Sequence, residues 1–134
     1  ELGDVSVAYI MFISGNGGKR RPIFVISEDA KSVSFYPITS KYQKKSLAIK
    51  KNYFKINDLK VAGLKKDSWI DTGNLIQTAK PFLKSIVTIG HLSKSDLHRL
   101  AQFVQQRWEN ICAELLGLLG IFLALVPLGL QKRS

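Results

Sequence analysis

A basic residue and two hydroxyl residues stand where predicted strands begin and end, positions that suit the binding of a phosphodiester. Arg21 and Pro22 directly precede the apolar run 23–27, which has the composition of a buried strand, so the backbone of Arg21 should be well fixed. Thr39 and Ser40 end the next predicted strand. A guanidinium can fork onto a phosphate, and RNA supplies its own 2′-hydroxyl as nucleophile. These residues could therefore support RNA cleavage.

Each of these groups also has an ordinary structural interpretation. An arginine between a loop and a strand commonly forms a surface ion pair, and a Thr-Ser pair commonly caps a turn. The sequence contains no P-loop, no GxSxG or HExxH motif and no close pair of carboxylates, and glycines 15–18 do not form a dinucleotide fingerprint. The single cysteine, Cys112, excludes an internal disulfide and is expected to pack within a helix. We expect neither a metal nor a cofactor.

The chain is strongly basic, and its charge is unevenly distributed. Its 134 residues include 20 Lys+Arg and 10 Asp+Glu, a formal net charge of +10, and 46% are hydrophobic, enough for a packed core. Nine lysines and one acid, Asp58, lie between Lys41 and Lys66. This run is either a solvated surface or a basic face for phosphates. The charge indicates a polyanionic partner: nucleic acid, an anionic membrane or an acidic protein.

Several short strands followed by one helix must position these groups. Apolar patterns predict strands at 4–13, 23–27, 33–38, 47–49, 69–76 and 86–90, and turns within 56–66. Ser93 is the predicted N-cap of the helix, and Asp96 can complete a capping box. One apolar stripe then follows: Leu97, Leu100, Ala101, Val104, Trp108, Ile111 and Leu115. The pattern predicts a mainly β (α+β) fold, a strongly bent antiparallel sheet closed by a C-terminal helix.

We divide the chain into a domain over residues 1–112 and an apolar helical extension or tail over residues 113–134. Every residue from 115 to 130 is apolar, Gly or Pro. These sixteen residues are fewer than the ~20 that a bilayer requires. Three interpretations stay open: packing on the domain or on a second copy, membrane association, and an expression or frameshift artefact. No signal peptide is visible after Glu1, and we expect a cytoplasmic protein.

Four sequence blocks, in the same order and at comparable spacing, resemble the MazF/PemK family of toxins. They are residues 3–5 (GDV), 18–27 (GKRRPIFVIS), 37–40 (PITS) and 89–93 (IGHLS). The Arg-Pro strand entry and the Ile-Thr-Ser strand end are the most specific of these features. The resemblance covers roughly residues 3 to 110.

The resemblance implies an SH3-like small β-barrel with a C-terminal helix that forms a homodimer. It also implies the toxin of a type II toxin–antitoxin system, a metal-independent endoribonuclease that cleaves single-stranded mRNA at short sequences and is neutralised by an acidic antitoxin. Arg21 would stabilise the phosphorane charge, and Thr39 would activate or orient the attacking hydroxyl. The glycine loop before Lys19 matches a mobile loop that covers RNA or is displaced by the antitoxin. We assign RNA binding to Lys19, Arg20, Ser40, Lys41, Asn74, Gln77 and His91.

The strand region 69–78 departs from the family pattern. Many members carry there an acidic residue next to Gln and then an Arg-Thr pair, whereas this chain reads WIDTGNLIQT. Its only carboxylate, Asp71, does not align with the acid, and Gln77 or Thr78 falls at the Arg-Thr pair. A general acid or base from this strand is therefore left open. His91 is either an alternative for proton transfer, since histidine titrates near neutral pH, or a surface residue.

Four functional hypotheses follow from the sequence. The first is the RNA-cleaving toxin. The second is a catalytically weak or inactive member of the same fold that binds nucleic acid or antitoxin. The third is a toxin of the related gyrase-poisoning type, whose function depends on the end of the C-terminal helix, which is apolar here. The fourth is membrane activity through residues 115–134. The Arg21 and Thr39 blocks favour the first.

Overall fold

The computed structural model describes residues 3–11 and 16–119. The elements are β1 (Asp4–Met11), β2 (Gly18–Glu28), β3 (Ser32–Thr39), α1 (Leu47–Lys50), β4 (Tyr53–Lys55), α2 (Leu59–Ala62), β5 (Trp69–Asp71), β6 (Ile76–Ala79), β7 (Leu83–His91) and α3 (Lys94–Leu119), with a 3-10 turn (Lys80–Phe82) between β6 and β7. The chain falls into two units that divide between His98 and Arg99. The first unit therefore contains all seven strands, and the second contains most of α3.

The seven strands form one antiparallel sheet in the order β4-β5-β3-β2-β1-β7, and β6 also pairs with β3. The predicted fold class, mainly β with a C-terminal helix, is confirmed. The predicted closure into a barrel is corrected, because within the described residues no ladder joins the end strands β4 and β7. β4 has only three residues, and a helix rather than a strand lies against β7.

Helix α2 contacts β7 through a close approach of two backbones. Gly63 caps α2 in the left-handed region at φ 74°, where glycine carries little strain. A Cβ added to Gly63 would overlap the carbonyl oxygen of Ile89, and a Cβ added to Gly90 would overlap that of Val61. Glycine is therefore required on both sides of the contact. The region 56–66, predicted as turns, contains this helix.

The core of the first unit lies on both faces of the sheet. One cluster contains Ala8, Ile23, Val25, Val33, Phe35 and Leu83, and Ile10 and Ile76 pack against it. Because alternate residues of a strand point to opposite faces, Phe24 of β2 and Ile38 of β3 are buried on the other side. The core thereby fixes the strands on which Arg21 and Thr39 lie.

Residues 47–49, predicted as a strand, form helix α1 instead. Ser46 caps this helix, since its Oγ accepts the N–H of Ile49 at 3.3 Å. The side chains of Leu47 and Ile49 are 79% and 44% exposed, so no buried sheet face holds them. The strand of this region, β4, begins only at Tyr53.

The start of α3 is held by a small polar network. Ser93, the predicted N-cap, accepts the N–H of Asp96 at 3.1 Å through its Oγ and donates to Asp58 at 2.5 Å. The carboxylate of Asp96 is fully buried and accepts the backbone N–H groups of Asn57 at 3.1 Å and Asp58 at 2.9 Å. Asp96 therefore joins the helix start to the loop before α2, a role that the capping-box prediction did not include.

Helix α3 runs without a break through the predicted boundary at residue 112 and is described as far as Leu119. The division at that boundary stays a prediction. Residues 120–134 of the predicted tail, and residues 12–15 with part of the glycine loop, lie outside the described residues. The described part of the chain contains no helix that is both long enough and apolar enough to cross a membrane. Along α3, Trp108, Ile111 and Leu115 are 66%, 38% and 54% exposed.

Candidate nucleic-acid interface

A cavity of about 870 Å³ opens where β2 begins and β3 ends. We call it the cationic cavity. Residues 19–22, 37–41 and 64–66 contribute to its wall, together with single residues from β1, β4, β5 and β6 and their connections. The fold thus brings to one place segments that are far apart in the sequence, through the β2–β3, β3–β5 and β4–β5 ladders.

Arg21 and Thr39, the two predicted catalytic residues, both line the cationic cavity. Ile23 of β2 pairs with Pro37 of β3, and Arg21 and Thr39 each lie two residues beyond that pair. Because side chains alternate along a strand, both residues continue the sheet face that carries Ile23 and Pro37. The guanidinium and the hydroxyl therefore belong to two strand ends that line the same cavity.

The hydroxyl of Thr39 is fixed by one hydrogen bond and keeps its donor. Its Oγ1 accepts the N–H of Lys41 at 3.1 Å, the turn-capping role that a Thr-Ser pair commonly takes. A hydroxyl has one donor and two acceptor positions. The O–H of Thr39 consequently remains able to donate to a ligand in the cavity.

The cavity concentrates positive charge that no ion pair among the described residues neutralises. Seven of its described lining residues are basic: Lys19, Arg20, Arg21, Lys41, Lys45, Lys65 and Lys66. The ion pairs among the described residues join other lysines, Lys55 with Asp67 at 3.9 Å and Lys80 with Glu28 at 2.9 Å. No described carboxylate pairs with Arg21, so the surface ion-pair interpretation of this arginine finds no support there. Converging unpaired cations are the arrangement that binds phosphates.

The other predicted RNA-binding residues divide between two places. Five of them line the cavity: Lys19, Arg20, Ser40, Lys41 and Asn74. Gln77 lies on β6 opposite Ser34, and His91 ends β7 opposite Asp4; both are exposed, and neither is among the described lining residues. The structure therefore does not bring Gln77 and His91 to Arg21 and Thr39.

The cavity also contains residues that the sequence did not assign to the site: Lys45, Tyr53, Lys65, Lys66 and Asp71. The lysine density of 41–66 was a signal for three of them. Tyr53 and Asp71 face each other across the β4–β5 ladder. Burial, and then the negative charge of Asp71, raise the pKa of the Tyr53 hydroxyl. Asp71 is the one acidic residue among the described lining residues.

Three aromatic side chains, which we call the aromatic cluster, adjoin this wall. Tyr42 stacks on Trp69 with ring centroids 4.6 Å apart and planes at 8°, and its centroid lies 6.1 Å from that of Tyr53. Lys50 lies 4.8 Å from the Tyr42 ring and Lys55 lies 5.5 Å from the Trp69 ring. Aromatic rings combined with cations are the combination that binds single-stranded nucleic acid through base stacking and phosphate contacts.

No three His, Cys, Asp or Glu side chains in residues 3–11 and 16–119 are close enough to hold a metal ion together. The free Cys112 is half-buried in α3. The cavity itself is lined by cations, by the hydroxyls of Thr39 and Ser40, and by Tyr53 and Asp71.

The antiparallel sheet followed by one long helix is similar to the fold of two solved toxin structures. The toxin MazF-mt6 of Mycobacterium tuberculosis superimposes with a TM-score of 0.53 at 18% identity, over 77% of this chain and 96% of that chain. A second solved structure, described as an Mtb toxin, gives a TM-score of 0.51 at 17% identity, over 74% of this chain and 97% of that one. No protein-family model and no curated protein matches the chain. The resemblance drawn from the four sequence blocks is confirmed at the level of the fold.

Proposed function

We propose that this protein is the toxin of a toxin–antitoxin pair and that it cleaves single-stranded RNA in the cationic cavity. One observation carries the proposal: Arg21 and Thr39, from neighbouring strand ends, line a cavity whose seven described cations have no described carboxylate partner. The fold shared with MazF-mt6, which is described as a toxin, supports it.

The chemistry needs few groups from the protein. The 2′-oxygen of the substrate attacks the adjacent phosphorus, the bond from phosphorus to the 5′-oxygen breaks, and the products end in a 2′,3′-cyclic phosphate and a 5′-hydroxyl. The 2′-hydroxyl loses one proton and the leaving oxygen gains one. Arg21 would bind the non-bridging oxygens more strongly as charge builds on the phosphorane. Thr39 would donate its hydroxyl proton in a hydrogen bond that holds the phosphate for in-line attack.

The first experiment incubates the purified chain with a long single-stranded RNA in the presence of EDTA. We expect cleavage at a limited set of short sequences, with cyclic phosphate ends, because the nucleophile belongs to the substrate. A DNA of the same sequence, or an RNA with a 2′-deoxy sugar at the cleaved position, should stay intact. Products with 3′-hydroxyl ends, or cleavage that EDTA abolishes, would contradict the mechanism.

Matched variants test the site. Arg21→Ala and Thr39→Ala should lose most of the cleavage, whereas Lys51→Ala and Thr88→Ala should keep it, since both control residues are exposed and do not line the cavity. Full cleavage by both site variants would overturn the assignment of Arg21 and Thr39.

A second candidate is a protein of the same fold that binds RNA or antitoxin without turnover. The placement of Gln77 away from the described cavity wall favours it, because the family pattern expects Arg-Thr in this strand region. Such a protein would bind single-stranded RNA with a steep salt dependence and release no product. Sequence-specific turnover by the clean protein would exclude this candidate.

The proposal extends to the partners and the place of action. An acidic antitoxin segment would compete with RNA for the cationic cavity, so an oligoglutamate peptide should inhibit RNA binding at low salt. The homodimer belongs to the proposal too, and the exposed apolar side chains of Trp108, Ile111 and Leu115 on α3 support it. We place the activity in the cytoplasm, where mRNA and antitoxin meet the toxin.

A further inference from the structure

We propose that Asp71 selects a guanine base in the single-stranded nucleic acid that occupies the cationic cavity, with Tyr53 as its stacking surface. The proposal rests on the proposed function only in that the ligand is single-stranded nucleic acid. It adds a specificity-determining residue and the chemical class of the base that this residue reads.

The strand register places Asp71 close to the phosphate-binding groups. Thr39 of β3 pairs with Trp69 of β5, and Asp71 lies two residues further along β5 on the same face. Diagonal neighbours of this kind in an antiparallel pair are about 7 Å apart. Both residues line the same cavity. A phosphate held at Thr39 therefore leaves a nearby base of the same strand within reach of the Asp71 carboxylate.

Local hydrogen bonds hold the turn that carries this carboxylate. Its Oδ1 accepts the N–H of Gly73 at 3.2 Å, and its backbone carbonyl accepts the N–H of Asn74 at 3.3 Å. Thr72 donates its N–H at 2.9 Å and its hydroxyl at 2.6 Å to the carbonyl of Asn52. The carboxylate is thus preorganised, and its remaining lone pairs are available to a ligand.

A carboxylate at this position would weaken phosphate binding unless it contacts a different part of the ligand. Asp71 forms no ion pair with a described cation, so it does not serve to hold one of the lining lysines. A carboxylate offers only acceptors, and guanine presents two adjacent donors, N1–H and the N2 amino group. Adenine, cytosine and uracil each place an acceptor beside their donor, which the carboxylate repels. Asp71 therefore favours guanine over the other three bases.

Tyr53 supplies an apolar surface on which an unstacked base of the single strand can stack. It lies directly across the ladder from Asp71, lines the cavity and continues into the aromatic cluster. A phenol is neutral at physiological pH, and the raised pKa of the Tyr53 hydroxyl places it further from ionisation, so the ring adds no charge beside the carboxylate. Stacking is tolerant of base identity, whereas the carboxylate edge is selective. Tyr53 thus contributes affinity for any base, and Asp71 contributes the preference for guanine.

The test measures binding of the full chain to 2′-deoxy oligouridines, which cannot be cleaved by 2′-hydroxyl attack. One carries a single central guanine, one carries hypoxanthine in its place, which lacks the N2 amino group, and one carries no purine. We expect the guanine oligonucleotide to bind at least about fivefold more tightly than the plain one, and hypoxanthine to lose most of that gain. In Asp71→Asn the guanine preference should disappear while binding of the plain oligonucleotide is unchanged or tighter.

Control variants separate this role from general effects of charge and packing. Asp67→Asn removes the same charge from an exposed residue that does not line the cavity, and should keep the guanine preference. Tyr53→Leu should weaken all three oligonucleotides about fivefold or more, whereas Tyr53→Phe should not. No guanine preference in the wild type, or an unchanged preference in Asp71→Asn, overturns the proposal.

The outcome is independent of whether the protein cleaves RNA. If the wild type does not cleave but prefers guanine through Asp71, the proposed ribonuclease function fails and the base-reading role stands. If the wild type cleaves RNA while Asp71→Asn loses cleavage with an unchanged guanine preference in binding, the carboxylate acts in proton transfer, and the base-reading role is overturned.

Discussion

Two parts of the first unit, the start of α3 and the cationic cavity, use their charged and polar side chains in opposite ways. At the α3 start, three hydrogen bonds of 2.5 to 3.1 Å join Ser93 and Asp96 to the loop at Asn57 and Asp58, and a fourth, of 3.1 Å, joins Asp96 to Ser93. In the cationic cavity, seven described cations have no described carboxylate partner. Groups that hold the fold are bonded within the chain, because an unpaired buried polar group is costly. Cations that lie unpaired beside one another repel and so destabilise the fold. Their position around a cavity is explained by a negatively charged ligand that binds there.

The comparison predicts that cavity variants lose activity and keep stability. Arg21→Ala should reduce RNA cleavage by about 10²–10³-fold, the range found when a transition-state donor is removed. Its free energy of unfolding should stay within about 0.5 kcal/mol of the wild type, since the exposed side chain has no described ion pair. Cleavage kinetics and urea unfolding on the same preparation measure both quantities. A large loss of stability would place Arg21 among the groups that hold the fold.

The α3 start should behave in the opposite way. Asp96→Ala leaves the backbone N–H groups of Asn57 and Asp58 without their acceptor, and should lower the free energy of unfolding by about 3 kcal/mol. Asp96→Asn keeps one acceptor oxygen and should lose less. Cleavage per folded molecule should not change, because Asp96 does not line the cavity. Urea unfolding with the exposed Asp67→Ala as the control checks this. If Asp96→Ala and Asp67→Ala lowered the free energy of unfolding equally, burial of the Asp96 carboxylate would contribute nothing to stability.

Local sequence signals predicted the parts of the fold that local physics decides. The apolar run of β2 and the Ser93 cap were both readable, because strand burial and helix capping depend on a few adjacent residues. Residues 47–49 were misassigned because a short apolar run is compatible with a strand or a helix. The deciding contact is a cap from Ser46, a residue outside the run.

The candidate site was predictable only where a motif marked it. Arg21 and Thr39 stand in recognisable strand-end blocks, and both line the cavity. Tyr53 carries no such signal, and Asp71 was noted only as the carboxylate of a strand region that departs from the family pattern. Both reach the cavity through the pairing of β3 with β5 and of β5 with β4. Such pairing depends on long-range packing and not on the residues themselves. His91 was proposed from its chemistry alone, and the register of β7 with β1 places it beside Asp4.

The loop after α2 contains two lysines of the cationic cavity, and replacing them should have a smaller effect, on the salt dependence of RNA binding. Lys65→Gln and Lys66→Gln should each lower the slope of log binding constant against log salt by about 0.7, the value for one phosphate contact on a single strand. Lys44→Gln and Lys51→Gln, which are exposed and do not line the cavity, should leave the slope unchanged. Fluorescence anisotropy with oligouridine over a salt series measures these slopes. Equal slopes in all four variants would show that RNA contacts the basic surface without preference for the cavity.

The smallest effect belongs to an ion pair that is bonded but exposed, at the hairpin end of β2. The hydrogen bond from Lys80 at 2.9 Å, and then the charge of Lys80, lower the pKa of Glu28. A folded pKa below the unfolded one contributes stability above the ordinary glutamate pKa of about 4.3, and this stability is lost as pH falls through the lowered value. Glu28→Gln should therefore slightly reduce the loss of stability that the protein shows as pH falls.

Asp29, whose pKa is lowered by the backbone N–H of Lys31 and then by Ser32, should preserve part of this acid-dependent loss in the variant. Urea unfolding between neutral and acidic pH measures the change. Because both partners are partly exposed, added salt should remove most of it. If Glu28→Gln changed the free energy of unfolding as much as Asp96→Ala does, an exposed ion pair would stabilise this fold as much as a buried hydrogen-bonded carboxylate.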